Sequence, residues 1–389
     1  MTQGAAARLK RYVPVLIGAA LLCGAAVAGA AATRDRPKVD KGVAAMLSAP
    51  LKALRPEPPP TAPPLLQARL DEIARAYGEP VGIAVMDLDS GWIAAVDGDS
   101  LYPQQSVSKL WVAMTVLDAV DRKEMDLDEG VMLWPEDRSV FFQPITDRIG
   151  QRGYPTTLRE LIEHGLIESD NAANDKLISE LGGVEKVDAA IQAKGLAGVN
   201  IGADEKRLQS AVAGMEWRDD LGVTWMFKAE RAKLDPAVRD KALADYLAAP
   251  PDGASPIGIV KALAALKRGE LLSRESTSFM LATMSLARTG PRRLAGGLPE
   301  GWAIAHKTGT GQDWRGASAG INDVGLLTAP DGHVYAVAVL IRRTFQPVPA
   351  RLAMMQSVSR AVVETWSAGQ PQTSVAGTEG LAANTALAR

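Results

Sequence analysis

The sequence predicts an α+β fold, in which strands from both ends of the chain pair into one antiparallel sheet around an inserted block of helices. Residues 81–96, VGIAVMDLDSGWIAAV, are two β-rich runs around a turn. Residues 324–341 are a second such pair, with Pro330, Asp331 and Gly332 as turn residues. We therefore expect a sheet of about five strands, flanked by helices to give a three-layer sandwich.

The middle of the chain has the apolar spacing of helices. The predicted helices span 106–122, 157–167, 170–181, 256–268 and 276–286. Residues 349–366 predict a closing helix. We expect one folded domain at 66–367, with an all-helical subdomain at about 103–255.

The two ends of the chain differ from this body in composition. Residues 1–32 combine three basic residues with a long apolar run, which predicts a cleaved signal peptide and a periplasmic protein. An uncleaved inner-membrane anchor is the alternative, because an apolar run of about 18 to 20 residues can span a bilayer. Residues 33–65 form a Pro-rich linker, and residues 368–389 predict a disordered tail.

Charge and residue counts narrow the classes of partner. The net charge of −2 predicts no nucleic-acid partner. The only cysteine, Cys23, allows no intramolecular disulfide. The histidines, at 164, 306 and 333, lack metal-ligand spacing, so we expect neither a metal nor another cofactor. Nothing in the sequence requires more than a monomer.

A serine and a lysine stand three residues apart at the head of an apolar run. Ser106 and Lys109 share a face if the segment is helical, so the lysine amine can reach the serine hydroxyl. The apolar run 110–120 predicts a buried helix, and burial favours a lysine that accepts a proton. The pattern alone is common by chance, and Lys109 would then be a surface residue with its amine in water.

Two further motifs follow in the chain. Ser-Asp-Asn at 169–171 enters a helical segment, and Lys-Thr-Gly at 307–309 ends a strand-like segment. Each alone is also explained by a helix cap or by a strand that ends in a turn. In the order S-x-x-K, S-D-N, K-T-G, the set is the known signature of class A β-lactamases and penicillin-binding proteins. The sequence resembles class A serine β-lactamases over roughly 66–366, and the segments around the K-T-G motif favour that branch.

This resemblance implies roles in acyl transfer. Ser106 would form an acyl-enzyme with the β-lactam carbonyl, and Lys109 would take its proton or tune the local field. Ser169 would relay a proton to the leaving nitrogen. The backbone N–H groups of Ser106 and Thr310 would form the oxyanion hole.

The resemblance also implies the substrate contacts. Asn171 would hold the amide of the substrate's side chain, and Lys307 and Thr308 would bind its carboxylate. Members of the family also bind that carboxylate with an arginine, as a second cationic group. Here Arg342 and Arg343 are the candidates.

The loop that completes hydrolysis departs from the family pattern. Class A enzymes hydrolyse the acyl-enzyme with a glutamate on a loop after the S-D-N helix. The corresponding interval, 198–256, is long here, and Glu216 is our candidate for that glutamate. Asp175 stands where the family usually has an asparagine. Other acids in the interval remain open as alternatives: Glu205, Asp219, Asp220 and Glu230.

The function expected from these features is hydrolysis of β-lactams by a serine β-lactamase. A D-alanyl-D-alanine peptidase or serine esterase on the same scaffold is the alternative enzyme. A penicillin-binding sensor that is acylated without turnover is the alternative outside catalysis. Which β-lactams are preferred does not follow from the sequence.

Overall fold

A computed structural model describes residues 60–370 of the chain. The predicted signal peptide or anchor at 1–32 lies outside the described residues, as do most of the predicted linker and tail. The first described helix begins at Pro64, inside the predicted linker, and the last ends at Gly369, beyond the predicted domain end. Within 60–370 the structure contains no helix of sufficient length and apolarity to span a bilayer.

Six strands form the central antiparallel sheet, which confirms the predicted sheet built from both chain ends. Its order is β2–β1–β10–β9–β7, and the short β8 pairs with β9. Two small sheets, β3–β6 and β4–β5, lie apart from it. The strands are β1 Val81–Asp87, β2 Ile93–Val96, β3 Tyr102–Pro103, β4 Gly130–Leu133, β5 Tyr154–Thr157, β6 Gly253–Ala254, β7 Ala303–Thr310, β8 Asp313–Trp314, β9 Ala317–Thr328 and β10 Val334–Thr344.

Eleven α-helices lie within the described part of the chain. They are α1 Pro64–Tyr77, α2 Lys109–Asp121, α3 Leu158–Glu163, α4 Asn171–Glu180, α5 Val184–Ala193, α6 Glu205–Val212, α7 Thr224–Lys233, α8 Pro236–Ala248, α9 Pro256–Lys267, α10 Arg274–Ser285 and α11 Val348–Gly369. The predicted helices correspond to α2, α3, α4, α9, α10 and α11. The other five were not predicted. Two of these, α6 and α8, begin at aspartate caps, Asp204 and Asp235, which stabilise a helix N-terminus.

The sheet separates two hydrophobic cores, which gives the three layers. Alternate residues of β10 point to opposite faces, as the strand period requires. Ala336 and Leu340 pack with α2 and the helical block, whereas Val337 and Ile341 pack with α1 and α11. The antiparallel pairing of β3 with β6 joins the two ends of the subdomain predicted at about 103–255. This subdomain is not all-helical as predicted, because the pair β4–β5 lies within it.

Helix α2 runs through the first core and is buried on nearly all sides. Its apolar residues Trp111, Met114 and Leu117 are at most 1% exposed. Because the helix is enclosed, its first residue, Lys109, is also buried, at 1% exposure. The position of α2 therefore brings a lysine amine into the interior of the domain.

Candidate active site

Ser106 and Lys109 meet at the start of α2. Ser106 lies in a 3-10 turn, Gln105–Ser108, that leads into the helix. The Nζ of Lys109 donates a hydrogen bond of 2.9 Å to the Ser106 Oγ. The alternative placement of Lys109 on the surface is therefore wrong, because its amine points inward to the serine.

The turn that presents Ser106 is held by polar contacts. Gln105 has φ +53, a left-handed conformation that a non-glycine residue adopts at a cost. Its backbone N–H donates to the Asp252 Oδ2 at 2.8 Å, and its side-chain oxygen accepts from the Gln209 Nε2 at 2.7 Å. These contacts stabilise the strained residue directly before the nucleophile.

A buried carboxylate accompanies the buried amine. Lys109 forms an ion pair with Glu205, and it donates a hydrogen bond of 2.8 Å to the Asn171 Oδ1. Glu205 is 4% exposed. An isolated ammonium would be costly in this interior, so the carboxylate supplies the compensating charge.

Glu205 reaches this position because it is the first residue of α6. Asp204 caps the helix by accepting from the Arg207 N–H at 3.0 Å. Asp175 of α4 accepts from the Glu205 N–H at 2.7 Å and from the Lys206 N–H at 3.1 Å. Burial, reinforced by the charges of Asp204 and Glu205, raises the pKa of the Asp175 carboxyl to about 7. The aspartate at 175 thus anchors the helix that carries Glu205.

The prediction that Glu216 belongs to the site is wrong. Glu216 is exposed and does not line the cleft that contains Ser106. Helix α6 ends at Val212, and Gly214 at φ +82 turns the chain before Glu216 is reached. A signal was present in the sequence, because Asp204 followed by apolar residues at helical spacing predicts a helix that begins at Glu205.

The S-D-N segment and the K-T-G strand meet on the other side of the cleft. Ser169 has φ +65 and directly precedes Asp170, whose carboxylate caps α4 by accepting from the Ala173 N–H at 2.9 Å. The Lys307 Nζ on β7 donates to the Ser169 Oγ at 2.8 Å and to the Thr308 carbonyl at 3.0 Å. The two motifs are therefore joined by a direct hydrogen bond.

Lys307 is buried without a carboxylate partner. It is 0% exposed, and no carboxylate of the described chain forms an ion pair with it. Burial and then the nearby charge of Lys109 lower the pKa of the Lys307 amine well below its usual range. The site therefore holds a cationic group that has no carboxylate in direct contact within residues 60–370, although Glu205 and Asp323 act on it at longer range.

Arg293 is a site residue that the sequence analysis missed. Its guanidinium donates to the Thr310 Oγ1 at 2.7 Å, the Gly309 carbonyl at 2.9 Å and the Asn322 carbonyl at 2.6 Å. These bonds hold it beside the end of the K-T-G strand, where it lines the cleft. It precedes a 3-10 turn, Leu294–Gly297, and no motif surrounds it, so no sequence signal distinguished it from other arginines.

The predicted arginines lie elsewhere, and that prediction is wrong. Arg342 donates to the carbonyls of Leu247 and Leu101, and the guanidinium of Arg343 lies 4.8 Å from the Phe345 ring centroid. Neither lines the cleft. Both belong to the far end of β10.

The cleft has a volume of about 520 Å³. Five sequence-predicted residues line it directly: Ser106, Ser169, Asn171, Thr308 and Thr310. Lys109 and Lys307 lie buried beneath this surface.

Over residues 60–370, no group of three His, Cys, Asp or Glu residues is placed to hold a metal ion. A hydroxyl in contact with a buried amine, with further proton donors nearby, is the arrangement of a serine hydrolase that forms a covalent acyl-enzyme.

Comparison with known proteins agrees with this class. The family described as Beta-lactamase2, Beta-lactamase enzyme family, matches residues 65–366, and the chain belongs to that family. Beta-lactamase VEB-1 of Pseudomonas aeruginosa is 24% identical over 71% of this chain and 82% of its own length. The extended-spectrum beta-lactamase PER-1 of the same organism is 26% identical over 77% of this chain and 87% of its own.

Solved structures show the same fold. A beta-lactamase from Chitinophaga pinensis superposes with a TM-score of 0.65 at 28% identity, covering 77% of this chain and 99% of that structure. The TLA-3 extended-spectrum beta-lactamase gives a TM-score of 0.64 at 25% identity, covering 77% of this chain and 98% of that structure. Both support the class A assignment inferred from the motifs.

Proposed function

We propose that this chain is a class A serine β-lactamase, which opens the β-lactam ring through an acyl-enzyme on Ser106 and hydrolyses that intermediate. One observation carries the proposal. The carboxylate of Glu205 pairs with Lys109, which in turn contacts the Ser106 hydroxyl. Groups suited to acylation and to deacylation therefore lie in one cleft.

Acylation begins with transfer of the Ser106 proton to Lys109. Lys109 can accept it once its own proton has passed to Glu205, with which it is paired. The Ser106 Oγ bonds to the lactam carbonyl carbon, and the backbone N–H groups of Ser106 and Thr310 stabilise the oxyanion. The lactam C–N bond breaks, and the leaving nitrogen takes the proton of Ser169. Lys307, 2.8 Å from the Ser169 hydroxyl, replaces that proton. The proton left on Glu205 then passes through solvent to Lys307, so both residues regain their starting charge before deacylation.

Deacylation requires a base that activates water. Glu205 takes a proton from a water molecule as the water oxygen attacks the ester carbonyl. As the ester bond breaks, Lys109 donates a proton to the Ser106 oxygen and regains one from Glu205. Gln209 lies one turn further along α6 and places its amide nitrogen 3.4 Å from the Glu205 Oε2. This side chain adds a polar group where the water must be held.

The carboxylate of the substrate is bound by two cations that form no ion pair within residues 60–370. Lys307 and Arg293, with the hydroxyl of Thr308, receive the carboxylate on the ring fused to the β-lactam. The Asn171 side chain, already fixed by donating to the Val140 carbonyl at 2.8 Å, contacts the side-chain amide of the substrate. The position of Glu205 supports turnover over the alternatives of a slow peptidase or a sensor that stays acylated.

Turnover of a chromogenic cephalosporin tests the proposal. We expect the wild-type protein to hydrolyse it catalytically and Ser106→Ala to lose this activity. Ser285→Ala is the matched control, because its exposed hydroxyl on α10 bonds only to a carbonyl of its own helix. A wild-type protein that is labelled once per molecule by penicillin and never recovers would contradict the proposal.

We also propose that the catalytic domain is a monomer and that it acts in resistance to β-lactams. We further propose that residues 1–32 direct export to the periplasm. Support comes from the composition of that segment and its Ala-Gly-Ala and Ala-Ala-Ala cleavage sequences at 28–30 and 30–32. Mass spectrometry of the mature N-terminus checks this. Cleavage near residue 30 or 32 in a periplasmic fraction is expected, whereas an intact N-terminus in the membrane fraction would indicate an anchor. Light scattering should give the mass of one chain.

A further inference from the structure

We propose that the cleft selects β-lactams whose acylamino side chain ends in a second carboxylate, which is bound by Arg231 with help from Lys228. This inference rests on the proposed function and names the substrate class for it. Both residues lie on α7, in the long interval after the S-D-N helix, and both line the cleft. Neither has a role in the chemistry described above.

Arg231 is held in place by two aromatic rings and one amide. Its guanidinium carbon lies 5.8 Å from the Phe141 ring centroid and 5.9 Å from that of Phe227. The two rings pack edge to face with their centroids 5.0 Å apart. The Arg231 Nη1 donates to the Gln312 Oε1 at 2.7 Å. A guanidinium fixed in this way loses little freedom when it binds an anion.

Most of the binding capacity of this guanidinium is unused. An arginine can donate five hydrogen bonds, and within the described chain Arg231 makes only the bond to Gln312. Lys228 lies three residues earlier on the same helix, so both cations share a face. Lys228 is exposed, and none of the described carboxylates forms an ion pair with either residue.

The acidic residues of the cleft are already engaged. Glu205 is paired with Lys109, and Glu168 is paired with Arg288. Asp313 keeps its charge and attracts Arg231 from a distance, but within the described residues it forms no ion pair with Arg231 or Lys228; its carboxylate accepts a hydrogen bond from the Ser318 hydroxyl at 2.5 Å. The pair of cations on α7 is therefore not neutralised by an ion pair at short range.

Arg231 lies where the far end of a substrate side chain would extend. Asn171, which contacts the side-chain amide in the proposed mechanism, donates to the carbonyl of Val140. The next residue, Phe141, carries the ring that Arg231 faces. Lys307 and Arg293 provide the cations for the ring carboxylate beside the K-T-G strand. The cleft thus has separate cationic groups for the two ends of a dianionic substrate.

A pair of cephalosporins that differ in one charge tests the proposal. We use 7-glutarylaminocephalosporanic acid, whose side chain ends in a carboxylate, and its side-chain methyl ester. The measurement is the ratio of kcat/KM for the acid to kcat/KM for the ester. Wild-type protein should favour the acid by about tenfold, the order expected of a charge-assisted contact. Arg231→Gln should reduce the ratio by about tenfold and Lys228→Gln by about threefold.

Lys233→Gln is the matched control. It removes the same charge from the same helix, but its side chain is 70% exposed and lies outside the cleft. We expect this variant to leave the ratio unchanged. Lys228→Gln keeps the test valid if Arg231→Gln folds poorly, because Lys228 is exposed.

Two results would overturn the proposal. One is a wild-type ratio near one that neither cleft variant changes. The other is an equal loss for acid and ester in Arg231→Gln, which would indicate that Arg231 only positions Gln312. Equilibrium binding of both probes to Ser106→Ala separates this from a failure of the proposed function. If the wild type turns over neither probe, tighter binding of the acid that depends on Arg231 still supports the inference, and equal binding rejects it.

Discussion

The two buried lysines of the cleft have opposite surroundings. Lys109 is 1% exposed and is paired with the carboxylate of Glu205, with the Ser106 hydroxyl and the Asn171 amide oxygen as further acceptors. Lys307 is 0% exposed, and its acceptors are a hydroxyl and a carbonyl. The fold therefore pairs the charge of Lys109 with a carboxylate and leaves the charge of Lys307 without an anion in contact.

This difference suits Lys109 to activation of the nucleophile and Lys307 to recognition of a substrate carboxylate, in addition to its contact with Ser169. A compensated lysine can exchange a proton with its carboxylate at little electrostatic cost, which suits the activation of Ser106. An uncompensated lysine in a low-dielectric site costs stability until an anion arrives, which suits recognition of a substrate carboxylate. Burial lowers the pKa of the Lys307 amine, which is the direction expected when a charge without a contacting anion costs free energy.

The largest expected effect is that of removing the Glu205 charge. Glu205→Gln should lower kcat for a penicillin by roughly 10²- to 10⁴-fold, the usual contribution of a general base. Steady-state kinetics measure it. Glu216→Gln is the matched control, because Glu216 is an exposed glutamate from the same interval, and it should behave as wild type. Equal losses of kcat in the two variants would show that Glu205 is not the general base.

The two lysines should differ in their effect on stability. Lys109→Met leaves the Glu205 charge buried and unpaired, so the free energy of unfolding should fall by roughly 3–5 kcal/mol. Lys307→Met removes an uncompensated charge, so its free energy of unfolding should stay within about 1 kcal/mol of wild type or rise. Urea denaturation of both variants compares them.

A double variant serves as the control for this comparison. Adding Glu205→Gln to Lys109→Met removes the orphaned charge and should recover part of the lost stability. If Lys109→Met and Lys307→Met lose similar amounts of unfolding free energy, the two lysines do not differ in how their charges are compensated.

A smaller effect concerns the aspartate that anchors α6. Because the pKa of Asp175 is raised from 3.8 to about 7, the folded protein keeps a proton that the unfolded chain releases. This carboxyl therefore lowers stability as pH rises from about 4 to about 7, by at most about 1.4 kcal/mol per pH unit. Asp175→Asn should flatten that part of the stability curve, as measured by urea denaturation at several pH values.

Asp99→Asn controls for the loss of one carboxylate, because Asp99 is exposed and makes no hydrogen bond in the described structure. It should keep the wild-type slope. A slope that is the same in Asp175→Asn as in wild type would show that other groups determine the pH dependence.

The parts of the site that the sequence predicted are those set by short spacing on one element. Ser106 and Lys109 are three residues apart, so the start of a buried helix is enough to bring them together. Lys307 and Ser169 are 138 residues apart, and they were identified through the resemblance of their motifs to a known family rather than through spacing. The hairpins and the apolar helices were predictable for the same reason, since their periodicity is local.

The parts that were not predicted depend on contacts between distant segments. Glu205 is placed by Asp175, thirty residues earlier, and Arg293 is placed by carbonyl groups of β7 and β9. Arg231 lies on α7, which contacts Phe141 through the ring of Phe227. No periodicity in the sequence encodes these contacts. The Asp204 cap could have indicated a helix that begins at Glu205, but not that this glutamate is buried against Lys109.

The lifetime of the penicilloyl adduct on Ser106 tests the account most directly. Intact-protein mass spectrometry after mixing with benzylpenicillin follows this adduct in wild type, Glu205→Gln and Glu216→Gln. The account predicts a short-lived adduct in wild type and Glu216→Gln, and a stoichiometric, persistent adduct in Glu205→Gln. A persistent adduct in the wild-type protein would contradict it.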